Sequence, residues 1–267
     1  MNFKEVNYIT KSDIFKNELS WITYDKIREF AEKAINMLPD YFFTVAASST
    51  GKYHPAYALG SGGLVRHTKA AVKFAHTILG LGQYGCFSQE EKDIILTALM
   101  LHDGWKHGSK YSNFTVAEHP TVCAEWLKNT EELHGYLSDN SFEILTSGIA
   151  SHMGEFNTDF KTKKEILPKP VTDIQKFIHL CDYLASRKWL PVDFEDDYYD
   201  GSYKPVHEVD NTIADIITEC KAKIADGVSR DNVYGVIQEV AGVKNPNKIT
   251  DNTVAVAVLD KIKELVA

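Results

Sequence analysis

The stretch LMLHDGWKHG, residues 99–108, decides how the rest of the chain is read. His102 follows Leu99, Ala98 and Ile95 at helical spacing, so it shares their apolar face, and Asp103 comes directly after it. The capping box Ser88-x-x-Glu91 predicts a helix from Ser88 to about His102 that delivers both groups inward. A charge carried into a core is costly unless it is paired or bound to metal, so this pair needs partners from elsewhere in the chain.

Working outward, the chain reads as all-α. Thr23 to Leu38 carries apolar residues at Ile27, Phe30, Ala31, Ala34, Ile35 and Leu38, and Pro39 stops the pattern. Residues 39–63 read as an irregular loop, too long for a mere connector. Helices are predicted over about Gly63–Leu79, from Pro120 to near Asn129 and from Ser141 to about Met153. A further one runs from the capping box Thr172-x-x-Gln175 to about Leu190. The acidic and aromatic DFEDDYYDGSY (193–203) has no helical period and reads as a solvated loop in preference to a lid. Helical patterns resume over about 208–225, 230–241 and 250–266. The organisation expected is an N-terminal helix and loop (1–53) packing on a core of 54–190, then an acidic loop and helical C-terminal extension (191–267).

Composition narrows the function classes. Hydrophobic residues at 44% and charged residues at 25% are ordinary for a globular protein and exclude wholesale disorder. A net charge of −8 disfavours a general nucleic-acid coat, which needs broad phosphate neutralisation. Cys86, Cys123, Cys181 and Cys220 form no C-x-x-C pair, which fits a reducing cytoplasm and not a Cys-rich zinc site. The start has no apolar leader segment and no stretch approaches ~18 uncharged apolar residues, so a cytoplasmic protein without a membrane span is expected.

Of the histidines, several face inward. His67 shares a face with Ala70, Ala71 and Phe74, whereas His76 faces outward. His152 shares one with Leu145, Gly148 and Ile149, and Asp182 shares one with Gln175, Ile178 and Ala185. His119 sits at the N-cap position before Pro120. Any one of these alone reads as a hydrogen-bonded core residue, and Asp182 alone as a partner of Arg187 or of a lysine. The ordered set His67, His102-Asp103, His119, His152 and Asp182 instead points to a divalent metal site.

That set resembles the HD-domain superfamily of metal-dependent phosphohydrolases. GSGGLVRHT (60–68) resembles the family's glycine-led helix with its first His, LMLHDGWKHG its L-H-D-x-x-K signature, and FIHLCDYLAS (177–186) its closing helix with a single Asp. AEHPTVCAEWL (117–127) and GIASHMGEFN (148–157) resemble the helices that add two histidines in two-metal members. GKYHPAYALGSGG (51–63) is similar, more distantly, to HD-domain 3′-to-5′ exoribonucleases, and the whole-chain pattern resembles phage and bacterial HD-domain proteins. The resemblance covers about 54–190 and implies an HD-domain helical bundle. One departure is Met153, where some members place a second histidine; a thioether is a poor ligand for hard cations, so a second metal would have fewer protein ligands.

The resemblance implies that His67, His102, Asp103 and Asp182 hold a first metal, and that Asp103 bridges to a second held by His119 and His152. A His/Asp set without Cys suits Mn, Fe, Co, Ni or Mg, with Zn also compatible. The implied activity is cleavage of a phosphoester or phosphoanhydride through metal-activated water, with Asp103 and Lys106 as catalytic residues. The implied partner is a phosphorylated small molecule, a nucleotide before a single-stranded nucleic-acid end. Arg66, Lys69, His54, Lys52, His107 and Lys110 are candidates for substrate contact, each with an ordinary surface role as the alternative. Tyr53 and Tyr57 stand between stacking a base and packing. SSTGKYHP (48–55) lacks the spacing of a nucleotide-binding P-loop. The KTKK run (161–164) reads as a solvated loop able to attract an anion. Two other functions compete: a di-iron oxygenase on the same scaffold, and a metal-containing binding protein without turnover.

Overall fold

The computed structural model describes residues 10–48, 54–159, 161–194, 199–202, 209–249 and 252–266. The described residues form helices, 3-10 turns and loops, with one isolated bridge between Thr158 and Glu165 and no strand. The fold is all-α. Among these residues no helix is long and apolar enough to cross a membrane. The chain divides into two compact units, Met1–Tyr203 and Lys204–Ala267.

The first unit holds α1 (Lys16–Ser20), α2 (Asp25–Met37), α3 (Gly63–Leu79), α4 (Gln89–Leu101), α5 (His119–Asn129), α6 (Asp139–Ala150) and α7 (Asp173–Ala185). Helix α4 is the axis: it packs against α2, α3, α6 and α7. From Asp93 to Leu101 every residue of it is buried, the signature of a helix surrounded by others. Whatever follows Leu101 therefore emerges in the interior. The capping boxes at Ser88/Glu91 and Thr172/Gln175 both form.

Four helix ends differ from the sequence expectation. Helix α5 begins at His119 itself, with Glu118 at the N-cap. Helix α6 begins earlier, behind Ser138, whose hydroxyl accepts from the Ser141 N–H at 3.1 Å. It ends at Ala150, where the Ser151 hydroxyl also donates to the Ser147 carbonyl at 2.8 Å and His152 Nδ1 donates to that of Ile149 at 2.7 Å. Helix α7 stops at Ala185, where Ser186 Oγ and Arg187 Nε both donate to the Tyr183 carbonyl, at 2.8 and 3.2 Å.

The acidic segment is neither a free loop nor a lid where it is described. Phe194 and Tyr199 are buried in the core of the first unit. The Tyr199 hydroxyl donates to the Phe43 carbonyl at 2.8 Å. Gly62, at φ +68°, leaves room for this crossing: a Cβ there would lie 2.6 Å from the Tyr199 ring. The segment thus belongs to the first unit, and the boundary falls at 203/204, beyond the 190/191 expected.

The second unit comprises α8 (Val209–Ala225), α9 (Arg230–Ala241) and α10 (Asn252–Lys263), with α10 packed on both others. Ile216, Val233, Ile237, Val258 and Ile262 fill its own core.

Glu18 on α1 and Lys69 on α3 form a buried ion pair in the first unit, with Lys69 Nζ 2.9 and 3.1 Å from the carboxylate oxygens. Removing one partner strands the other charge, which costs about 3–5 kcal/mol. Glu18→Ala is expected to lower stability by that amount in urea unfolding, and a change below about 1 kcal/mol would contradict the assignment.

Candidate metal centre

Each inward group is delivered by a helix or its end. His67 lies in the second turn of α3, and Asp182 in the last turn of α7, which packs against α3. His102 is the C-cap of α4 and Asp103 follows it. His119 opens α5, and His152 stands just beyond α6. His67, His102, Asp103, His119 and His152 are all at most 1% exposed.

The backbone fixes the protonation pattern of three imidazoles. His102 Nδ1 donates to the Leu99 carbonyl at 2.7 Å, His119 Nδ1 to that of Val116 at 2.8 Å, and His152 Nδ1 to that of Ile149 at 2.7 Å. A carbonyl only accepts, so each Nδ1 carries a proton and Nε2, the other nitrogen of each ring, turns inward.

Those nitrogens meet one another and two carboxylates. His119 Nε2 lies 3.3 Å from His152 Nε2 and 2.9 Å from Asp103 Oδ1. On the other side of the same carboxylate, Asp103 Oδ2 lies 3.5 Å from His102 Nε2 and 3.6 Å from His67 Nε2. Asp182 Oδ1 is 2.9 Å from His67 Nε2 and 3.4 Å from His102 Nε2. His102 Nε2 and Asp103 Oδ1 are buried without a hydrogen-bond partner. Imidazole nitrogens and carboxylate oxygens gathered this closely in a buried interior could hold a cation between them. Three overlapping groups have ligand atoms close enough to share one: His67/His102/Asp103, His102/His152/Asp182 and Asp103/His119/His152. The residues present therefore suit a divalent metal, since neutral imidazole and carboxylate are its usual donors.

Electrostatics agree with that. Burial pushes the Asp103 carboxyl up, but the Lys106 ammonium, in direct contact with Oδ2, and His102 outweigh it and hold the group well below the ordinary carboxylate range. Burial likewise opposes ionisation of Asp182, and the neighbouring His102 and His67 side chains overcome it; burial pulls His102 down, but Asp103 and Asp182 outweigh it and raise it. Burial drives His152 down to about 4, which keeps it neutral and able to ligate.

The remaining candidates separate. A pocket of about 480 Å³ is lined by His54, Lys106, His152, Met153, Phe156, His179, Asp182, Tyr183, Ser186 and Arg187. His54 thus reaches the site: its ring centroid is 5.2 Å from that of His67, and burial, then the neighbouring His67 and Lys106, lower it to about 3.

Arg66 and Lys69 are corrected as substrate contacts. The Arg66 guanidinium is buried and donates to the carbonyls of Tyr57, Leu59, Ser61 and Tyr199, so it clamps the approach to α3 onto the acidic segment. Lys69 points to another face of α3 and pairs with Glu18. His107 is buried away from the pocket lining, with Nδ1 bonded to the Ser112 carbonyl and its ring stacked on Tyr111. Lys110 is exposed, as are Lys161–Lys164. Tyr57 packs, donating to the Ala185 carbonyl at 2.9 Å. Lys52 and Tyr53 lie outside the described residues.

Sequence reasoning passed over His179, Tyr183, Ser186 and Arg187 as lining groups. Their signal was available: His179, Tyr183 and Ser186 stand three before, one after and four after Asp182, so most of them share its helical face.

No protein-family model matches the chain, and no curated protein or solved structure matches it.

Titration with Mn²⁺ is expected to raise the thermal midpoint, with about 2.7 kcal/mol gained at a hundredfold excess over Kd. Asp103→Asn should abolish the gain. A midpoint indifferent to Mn²⁺, Fe²⁺, Co²⁺ and Zn²⁺ alike would contradict the site.

Proposed function

We propose that the chain is an HD-domain metal-dependent phosphohydrolase acting on a phosphoester or phosphoanhydride of a nucleotide or of a nucleic-acid end. The observation that carries this reading is the Asp103 carboxylate, whose two oxygens face different sets of imidazoles while Lys106 contacts one of them. His67, His102, Asp103 and Asp182 would hold one divalent ion. Asp103, His119 and His152 would hold a second, with Met153 offering no hard-cation ligand beside them. When bound, the metal supplies Lewis acidity toward a phosphoryl oxygen and lowers the pKa of water so that a nucleophile exists near neutral pH.

The chain's own groups do the rest. Lys106 lines the pocket and is held by its ion pair with Asp103, so its remaining N–H donors can neutralise phosphoryl charge as it develops. The backbone bonds to Nδ1 of His102, His119 and His152 keep those rings from turning when substrate charge arrives. His54, neutral through the physiological range, lines the mouth without adding charge. The mixture of Lys106 and Arg187 with Met153, Phe156 and Tyr183 in one pocket supports an anionic substrate with an apolar part, which favours a nucleotide.

The test is release of phosphate and mononucleotides by the Mn²⁺-loaded protein, across nucleoside mono-, di- and triphosphates, cyclic nucleotides and short single-stranded RNA and DNA. Turnover on one class is expected. Asp103→Ala should abolish it, and Lys106→Ala should lower kcat by about 10²–10³, the scale of one lost charge-stabilising donor. Oxygen uptake by the iron-loaded protein without phosphate release would favour an oxygenase instead, and metal without any turnover a binding protein.

A further inference from the structure

Beyond the metal ligands, the pocket has a wall that the hydrolytic reading does not use. Phe156 is 54% exposed, yet its position is closely fixed. The turn that carries it is pinned by His179 on α7: Nδ1 bonds to the His152 carbonyl at 2.7 Å, and Nε2 lies 3.0 Å from Glu155 Oε2. Gly154, at φ +59°, makes this possible, because a Cβ there would run into the His179 ring. On its far side the turn is tied by Asn157, whose side chain donates to the Leu167 carbonyl at 3.1 Å. The Phe156 ring lies parallel to Tyr183, with 7° between the planes and 6.5 Å between centroids. Arg187 stacks on Tyr183 at 4.0 Å, and its Nη2 is anchored on Ser186 Oγ at 2.7 Å.

A rigidly held, exposed aromatic ring at a pocket mouth is a stacking platform. The Arg187 guanidinium, stacked on Tyr183 in the lining of the same pocket, carries only donors, with Nη1 in none of the bonds that fix it. The buried end of the same pocket carries Lys106 and the metal-ligand cluster. The volume of about 480 Å³ falls within the range of roughly 300–1,000 Å³ found for small-molecule sites. We propose that Phe156 and Arg187 form the base subsite of a mononucleotide: the base stacks on Phe156 and offers acceptors to Arg187 while its phosphate lies toward Lys106. The subsite rests on the phosphohydrolase reading for its phosphate end, and on the pinned turn for its base end.

The experiment compares the four ribonucleoside 5′-monophosphates with ribose 5-phosphate, which keeps the phosphoester and lacks the base. It uses the full chain loaded with Mn²⁺. The wild-type protein is expected to prefer at least one nucleotide in kcat/KM. Phe156→Ala should lower that preference ratio about tenfold, the scale of one base-stacking contact, and Phe156→Tyr should keep it. An unchanged ratio in Phe156→Ala, or no preference in the wild type, overturns the subsite while leaving the hydrolase standing. If none of the five compounds is hydrolysed, the hydrolase reading stands or falls on its own wider substrate panel, and equilibrium dialysis of the same compounds decides the subsite. Nucleotide binding about tenfold weaker in Phe156→Ala sustains it, and absence of nucleotide binding overturns it.

Discussion

An ionised carboxylate sealed from water is among the costliest groups a protein can bury, and Asp103 is 1% exposed. Its placement makes sense only with compensating charge. Lys106 supplies part of it from three residues away. The imidazoles turn Nε2 toward the carboxylates, because the backbone holds Nδ1 of three of them. A cation shared by Asp103, Asp182 and the inward Nε2 atoms would neutralise the carboxylates.

The architecture follows from that requirement. Helix α4 is buried all round, so its C-terminal end is the driest place available, and His102 and Asp103 stand there. Helices α3 and α7 pack against α4 and against each other, which brings His67 and Asp182 to one side of Asp103. Helix α6 packs on α4 and α5, and the ends of α5 and α6 bring His119 and His152 to the other. Interactions that look remote from the cluster maintain this convergence. Arg66 fastens the loop before α3, and the Glu18–Lys69 pair ties α1 to the same helix.

Much of this was legible in the sequence, for identifiable reasons. The pattern marked α3 and α4 nearly to the residue, because glycines bracket α3 and a capping box opens α4. Helical periodicity placed His67, His102, His152 and Asp182 inward and His76 outward. What escaped was decided by tertiary contact. Arg66 and Lys69 look like substrate contacts beside an inward histidine, but long cationic side chains find whatever acceptors the fold brings near, here carbonyls and Glu18. The acidic segment looked solvated by composition, yet two of its aromatics complete a core whose other half lies far upstream. Phe156 had no sequence signal at all, since its orientation depends on a glycine turn and on His179 from another helix.

The central claim is that the cluster holds divalent metal with Asp103 between two ligand sets. Diffraction from crystals grown with Mn²⁺, measured at the manganese absorption edge, tests it most directly. The account predicts two anomalous peaks, one flanked by His67, His102 and Asp182 and one by His119 and His152, with Asp103 touching both. Full occupancy of Mn²⁺ elsewhere, or no peak within reach of Asp103, would contradict it.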